Sequence, residues 1–181
     1  MTFLLPRRAL AMIAPVLTVL AVGGATAAAS GHHHAAESEK LVVRGAGTVV
    51  DGGPCPGGVC KLTVSDGAFR GAPVGTGAYT SDIALHVAET FPNGEGGVCA
   101  PIRGKLVLGA GTADRLTLAI DGDSCQDGAG PPPFASFTGL ADWVVVKGTG
   151  TYAHARGYGT ATFLEDAADQ ERTTLIGRIA R

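Results

Sequence analysis

The amino-acid sequence predicts an all-β protein, an antiparallel barrel of eight strands, and three observations support this prediction. The chain of 181 residues contains 28 Gly and 10 Pro, whereas only 6% of its residues are aromatic and 17% are charged. Because an interior Gly costs a helix about 1 kcal/mol relative to Ala, this composition argues against a helical bundle. The other two observations are the alternation of apolar and polar residues, and the glycines that fall inside predicted strands. Apolar residues make up 45% of the chain, which is enough for a folded core.

Eight β-rich runs are separated by clusters of Gly, Pro, Asn and Asp, which are typical of turns. These runs predict strands at residues 41–50, 60–69, 79–91, 102–108, 115–121, 134–147, 156–164 and 173–180. In the third run, Ile83, Leu85 and Val87 alternate with polar or small residues, which is the pattern of a strand with one buried face. The connections are too short for the crossover helices of a parallel sheet, so the strands are expected to be antiparallel.

Glycines inside the strands favour a barrel over other antiparallel folds. A strongly coiled sheet has to bend at such positions, which here are Gly45, Gly47, Gly139, Gly157, Gly159 and Gly177. Closure of the sheet would also remove the exposed edges that a small sheet must otherwise protect. An eight-stranded barrel leaves room for packed side chains or for one small ligand. A β-sandwich stays open as the alternative, because the number of strands does not separate the two folds.

The N-terminal region has the pattern of an export signal. Arg7 and Arg8 precede an apolar stretch at residues 9–22, which is too short to span a bilayer, and small residues suited to cleavage follow it. Cleavage is expected after Ala27 or Ala29, with an uncleaved anchor as the alternative. The chain is thus divided into a signal peptide at 1–29, a flexible polar segment at 30–40 and a barrel domain at 41–181. We expect the protein to be secreted, with no membrane association after cleavage.

The four cysteines predict two disulfide bonds, in keeping with an oxidising compartment. The short loop between Cys55 and Cys60 closes most easily on itself, which leaves Cys99 to pair with Cys125. A zinc site is the competing interpretation. Neither the spacing of the cysteines nor the position of any histidine matches a common zinc pattern, so disulfides are favoured.

Charge and motifs exclude several classes of function. The formal net charge is −2 and there is no basic stripe, which makes nucleic acids and anionic membranes poor candidates as partners. The sequence contains no nucleophile elbow, no zinc-protease helix motif, no phosphate-binding loop and no dinucleotide fingerprint. We therefore expect neither a hydrolase with a nucleophile triad nor a bound cofactor.

One candidate metal site depends on the point of cleavage. Cleavage after Ala29 would give a mature chain that begins with Ser30, Gly31 and His32. The free amine, two deprotonated amides and the imidazole of His32 would form a square-planar nitrogen set that suits Cu(II) or Ni(II). Cleavage after Ala27 would eliminate this site.

Residues 145–159 carry the most distinctive motif, with the sequence VVKGTGTYAHARGYG. This pattern of G-T-G, an aromatic residue and A-R-G-Y resembles the C-terminal signature of dirigent proteins. More broadly, it resembles the allene oxide cyclase-like barrel superfamily, which includes small secreted bacterial members. The resemblance implies an eight-stranded antiparallel barrel, often oligomeric, with a central cavity for a hydrophobic or phenolic compound. As activities, it implies dirigent-type steering of radical coupling or a non-oxidative cyclase or isomerase reaction.

Four residues are candidates for binding a ligand in the lumen. Within the motif of the resembled family, Arg156 would serve as a cation, and Tyr158 follows it in the same strand. Asp142 lies in an apolar strand, where its burial would be costly unless it is paired. It could pair with Arg156 across neighbouring strands, or it could point to solvent. His86 shares a strand face with small residues and could line a cavity, although a lone histidine is more often structural.

Two functional hypotheses follow from these patterns. In the first, the protein binds a small hydrophobic or phenolic compound in an open lumen, with or without a dirigent-like or cyclase-like activity. In the second, it is a non-enzymatic extracellular interaction protein with a packed core. A cavity lined by Arg156 and Asp142 would favour the first hypothesis, whereas a lumen filled by Trp143, Phe137 and aliphatic side chains would favour the second.

Overall fold

The computed structural model describes residues 37–51, 53–94, 96–127, 136–166 and 168–181, so the predicted signal peptide and His32 lie outside the described residues. The strands within these ranges are β1 (Glu39–Thr48), β2 (Val50–Asp51), β3 (Val59–Ala72), β4 (Gly75–His86), β5 (Phe91–Pro92), β6 (Val98–Leu108), β7 (Leu116–Asp127), β8 (Ser136–Gly148), β9 (Arg156–Glu165) and β10 (Gln170–Ala180). Short 3₁₀ turns occur at Pro56–Gly58, Val87–Glu89 and Gly150–Tyr152. In these ranges, no helix has the length and apolar character that are needed to cross a bilayer.

Eight long strands close into an antiparallel barrel, as the sequence predicts. The eight long strands are β1, β3, β4, β6, β7, β8, β9 and β10. Each of them pairs with the next long strand along the chain, and β10 pairs with β1, which completes the circle. The short β2 extends the sheet beside β3, and β5 pairs with the start of β6. Because each long strand has a neighbour on both sides, the sheet is closed and the alternative β-sandwich is excluded.

Some strand ends differ from those that the alternation predicts. The strand predicted at residues 79–91 is β4, which ends at His86 because a 3₁₀ turn follows. Val87 is therefore exposed in that turn and does not extend the buried face of the strand, so its predicted place is wrong. Conversely, β6 and β7 are longer than predicted, because both continue as far as the disulfide bond that joins Cys99 to Cys125.

The lumen is filled by side chains that alternate along the long strands. The largest fully buried side chains are Trp143 and Tyr79, and aliphatic residues from all around the barrel pack with them. Strand glycines make room for these two rings. A Cβ atom at Gly159 or Gly177 would lie 2.7 or 2.5 Å from Cζ2 of Trp143, and one at Gly45 would lie 3.0 Å from Cε1 of Tyr79. The strand glycines thus provide space for aromatic rings in the lumen, in addition to the bending that the sequence suggests.

The two ends of the barrel are built differently. One end holds the distinctive motif, whose 3₁₀ turn ends at Tyr152, a half-buried side chain that packs against the core. The opposite end holds both disulfide bonds, Cys55–Cys60 and Cys99–Cys125, which are the predicted pairs. The second bond joins directly opposed residues of β6 and β7. We call this end of the barrel the disulfide end.

Candidate functional site

Among the described residues, packing leaves a small cup in the lumen at the disulfide end. Its volume is about 40 Å³. Its walls are mostly apolar, and its polar groups are those of Thr63, Ser81, Ser124, Glu165 and Glu171. Ligand pockets usually have volumes of about 300–1,000 Å³, so the cup has room for a few water molecules but not for a phenolic compound.

A buried carboxylate lines this cup. Glu171 is 8% exposed, and its Oε1 accepts hydrogen bonds from the hydroxyl of Tyr79, at 3.0 Å, and from that of Thr173, at 2.6 Å. Burial, together with the negative charge of Glu171, raises the pKa of Tyr79 above its usual range, so the phenol stays protonated and donates. A buried carboxylate is costly unless it is hydrogen-bonded, and the two hydroxyls meet that need.

The structure places three of the four predicted ligand residues on the outside of the barrel. Arg156, Asp142 and Tyr158 are all exposed, because the alternation of their strands turns the neighbouring residues toward the lumen. Across the strands, Asp142 lies opposite Asp121 and Thr160, not opposite Arg156. Asp142 and Arg156 therefore form no ion pair and do not line the lumen, and Asp142 points to solvent, which was the alternative for this residue.

His86, the fourth predicted residue, lies at the end of β4. Its side chain is 20% exposed, and its Nδ1 is 3.4 Å from Oε1 of Glu89 in the turn that follows. His86 is not one of the residues that line the cup. Its contact connects the last residue of the strand to the 3₁₀ turn, which agrees with the structural role that was the alternative for this histidine.

Three arginines that the sequence analysis does not single out surround a groove on the outer wall. Arg44 in β1 lies directly opposite Arg70 in β3. Arg172 in β10 lies opposite Ala46, which is the next outward-facing position after Arg44. The groove between them has a volume of about 610 Å³. We call it the arginine groove.

The rest of the arginine groove is small, weakly polar or apolar. Its outward-facing residues besides the arginines are Ala46, Ala68, Thr76, Thr174 and Leu164. The two alanines are directly opposed across β1 and β3, so their short side chains leave space between the guanidinium groups. The threonines lie opposite two of the arginines, and the leucine lies opposite the third. The groove thus offers hydroxyl groups and carbon surface beside three positive charges.

No carboxylate of the described residues neutralises these arginines. All three side chains are exposed, and the ion pairs of the described surface involve other residues. Asp66, in the bulge of β3, is exposed but forms no ion pair with them. Like charges that are directly opposed on a sheet are destabilising, so we expect the pair of Arg44 and Arg70 to lower the stability of the barrel.

Another part of the outer wall carries an acidic patch, which consists of Asp121, Asp123 and Asp142. Asp121 and Asp142 are directly opposed on β7 and β8. The three residues border a second outer depression, of about 510 Å³. The acidic residues lie on β7 and β8 and the arginines on β1, β3 and β10, so the acidic patch and the arginine groove occupy different parts of the outer wall. Arg103, whose Nε is 3.7 Å from Oδ1 of Asp121, partly neutralises the patch.

Sequence reasoning could have found part of the arginine groove. Buried Leu41 and Val43 set the alternation of β1, which assigns Arg44 to the outer face. The same reasoning assigns Arg70 and Arg172 to the outer face of their own strands. The three side chains come together because of the register of β1 with β3 and with β10. This register cannot be read from the alternation within single strands.

Comparisons of the chain with protein-family models, with curated proteins and with solved structures find no match. The resemblance of residues 145–159 to dirigent and allene oxide cyclase-like barrels therefore stays a prediction. The geometry, burial and charge of the cup and of the arginine groove are the grounds for a functional conclusion.

Proposed function

We propose that this protein is a secreted, non-enzymatic binding protein, in which a packed barrel is the scaffold and the outer wall contacts the partner. The observation that carries the proposal is the filled lumen. Trp143 and Tyr79 are each 1% exposed, and the cup at the disulfide end has a volume of about 40 Å³. A pocket for a hydrophobic or phenolic compound has a volume of about 300 Å³ or more.

The polar groups of the lumen support the same proposal. The carboxylate of Glu171 already accepts hydrogen bonds from Tyr79 and Thr173. Among the described residues, every buried side-chain nitrogen or oxygen atom has a hydrogen-bond partner. A site that recognises a substrate in a lumen would present donors or acceptors that the substrate itself satisfies. Glu171, Tyr79 and Thr173 instead satisfy one another, which is typical of a structural network.

Export is part of the proposal, with residues 1–29 as the signal peptide. The two disulfide bonds support it, because such bonds persist in oxidising compartments outside the cytoplasm. We also propose that the chain is related to the dirigent and allene oxide cyclase-like barrels. The eight-stranded antiparallel barrel and the turn formed by the motif support this relationship. In this proposal, the chain shares the barrel of that superfamily but lacks its ligand cavity.

Fluorescence of Trp143, the single tryptophan of the chain, provides a direct test. The purified protein is titrated with two neutral compounds, N-phenyl-1-naphthylamine and 4-propylphenol. We expect no saturable binding and no change in tryptophan emission, because the lumen has no room for either compound. Saturable binding at micromolar concentration, with a change in Trp143 emission, would overturn the proposal.

A matched variant shows whether the assay detects an open lumen. F163A removes a ring from the wall of the cup, where Phe163 is 8% exposed, and it leaves the tryptophan in place. We expect this variant to bind N-phenyl-1-naphthylamine more tightly than the unchanged protein, because deletion of a buried ring leaves a cavity. Thermal unfolding of F163A confirms that the barrel is still folded.

A further inference from the structure

We propose that the arginine groove binds a ligand that carries at least two oxyanion groups, as phosphate or sulfate esters, on a carbon skeleton. This inference rests on the proposed function, because it names the chemistry that the outer wall recognises. Three exposed arginines converge on one groove, and none has an ion-pair partner among the described residues. Opposed like charges cost stability unless a bound anion neutralises them. Binding of an anion would therefore explain why three arginines lie together although their mutual repulsion lowers stability.

The pair of Arg44 and Arg70 fits the first oxyanion group. Directly opposed residues of an antiparallel pair have Cβ atoms about 4.5–5.5 Å apart, so both guanidinium groups can reach one tetrahedral anion. Each guanidinium presents parallel N–H donors that match two oxygens of a phosphate or sulfate. A lysine pair would supply the same charge without this geometry.

Arg172 fits a second oxyanion group on the same ligand. It is diagonal to Arg44 across β1 and β10, and diagonal neighbours are about 7–8 Å apart. Arg70 and Arg172 lie on opposite sides of β1, two strand spacings of about 4.7–4.9 Å apart, so two linked groups fit the three arginines better than one anion does. The hydroxyls of Thr76 and Thr174 are further donors, and the exposed side chain of Leu164 offers a contact for the carbon skeleton.

The shape of the barrel favours such a ligand over a second copy of the chain. The acidic patch has the complementary charge, but it borders a depression of about 510 Å³, and the arginine groove is a depression of about 610 Å³. Two depressions do not fill each other, whereas a narrow ligand can enter either of them. In addition, Asp121 of the acidic patch already lies 3.7 Å from Arg103.

Titration calorimetry at low salt tests the proposal with inorganic phosphate, pyrophosphate and a fully sulfated heparin tetrasaccharide. We expect pyrophosphate to bind at least tenfold more tightly than phosphate, because it carries two linked groups. R44Q, R70Q and R172Q should each weaken its binding at least tenfold. R70K should also weaken it, since a lysine keeps the charge but loses the parallel donors. The tetrasaccharide distinguishes a sulfated sugar from a phosphorylated compound as the source of the oxyanion.

R178Q is the matched control. Arg178 is an exposed arginine of the same strand, β10, but it lies outside the groove, where it donates a hydrogen bond to Ser38. Its substitution makes the same change in net charge, so pyrophosphate affinity should change less than twofold. An equal loss in R178Q and R44Q would show attraction by overall charge alone and would overturn the proposal. Failure of all three probes to bind would overturn it as well.

Sedimentation of the unchanged protein, R44Q and D142N tests the alternative that a second copy of the chain occupies the groove. Self-association that is lost in both R44Q and D142N would identify the acidic patch of a second copy as the occupant of the groove. That result would overturn the ligand class but would leave recognition by the outer wall intact. Binding of neutral compounds in the lumen, measured through Trp143, would instead contradict the proposed function. The failure of the two proposals is therefore distinguishable.

Discussion

The indole of Trp143 lies directly against Gly177 in the lumen. A Cβ atom at position 177 would be 2.5 Å from Cζ2 of the ring, which is closer than non-bonded carbon atoms can approach. The same edge of the ring is held in place by a hydrogen bond, because Nε1, which is bonded to the same ring carbon as Cζ2, donates a 3.0 Å hydrogen bond to the backbone carbonyl of Thr160. Trp143, the largest side chain in the lumen, therefore fits because the residue at position 177, two strands away, has no side chain.

G177A should destabilise the barrel by about 1–3 kcal/mol, the usual cost of overpacking a tightly filled core. The added methyl group would lie against Cζ2 of Trp143, which is 1% exposed, and against the backbone oxygen of Tyr158. Urea unfolding, followed by circular dichroism, measures the loss.

A double-mutant cycle with W143F shows whether the ring is the cause. Phenylalanine lacks the outer part of the indole, so the alanine at position 177 should cost less in that background. If G177A costs the same in both backgrounds, the strain lies in the neighbouring backbone and the proposed steric contact is not the reason.

Much of the barrel could be predicted from the sequence, because its strands follow a regular alternation. All eight predicted strands exist, and the short connections correctly indicate antiparallel pairing. The exact ends were harder to predict. Val87 continues the apolar alternation of β4, yet the chain turns at that point, and an alternating pattern alone does not mark where pairing with a neighbour stops.

Y79F should lower the free energy of unfolding at neutral pH by about 1.5–3 kcal/mol, the usual contribution of a hydrogen bond to a charged group. It removes the hydroxyl that donates to the buried carboxylate of Glu171 and leaves only the donation from Thr173. Chemical unfolding at pH 7 provides the measurement. A Y79F protein as stable as the unchanged one would show that this hydrogen bond does not contribute to folding.

The stability advantage of the unchanged protein over Y79F should shrink as the pH rises above about 10. Burial, reinforced by the charge of Glu171, raises the pKa of Tyr79 above the usual value of about 10. The folded state therefore keeps a proton that the unfolded state loses, so this contribution is fully present below pH 10 and is lost at higher pH. Unfolding curves at pH 8 and pH 11 test this, and a constant difference between the two proteins would contradict it.

The Cys99–Cys125 bond should contribute more stability than the Cys55–Cys60 bond. The cysteines of the first are separated by 26 positions and those of the second by 5. By chain entropy, cross-links of these loop lengths contribute about 3.5 and about 2 kcal/mol. Thermal unfolding of C99S/C125S and C55S/C60S compares them, and an equal or larger loss in C55S/C60S would contradict the loop-length explanation.

The residues of the candidate site were harder to predict than the fold, as Asp142 and the arginine pair illustrate. Asp142 follows Ala141 and precedes Trp143, both of which face the lumen, so alternation alone could have placed it outside. The apolar run that follows, with valines on both faces of β8, obscured this alternation. Arg44 and Arg70, in contrast, come together through the register between two strands, which no local pattern of the sequence encodes.

Relief of the repulsion between Arg44 and Arg70 should stabilise the barrel in the absence of ligand. Opposed residues on a sheet contribute about 0.2–1 kcal/mol, and like charges act against stability, so R44Q and R70Q should each raise the free energy of unfolding by a few tenths of a kcal/mol or more. The double variant should gain less than the sum of the two, because the first substitution already removes the repulsion.

The gain in the free energy of unfolding should disappear at 1 M salt, where the screening length falls to about 3 Å. Urea unfolding at low and high salt makes the measurement. R156Q is the control that should gain nothing from this effect, because Arg156 is exposed and lies opposite Ala180, which carries no charge. A loss of stability in R44Q and R70Q at both salt concentrations would show that the two charges do not repel, and it would remove the stability cost that a bound anion is expected to offset.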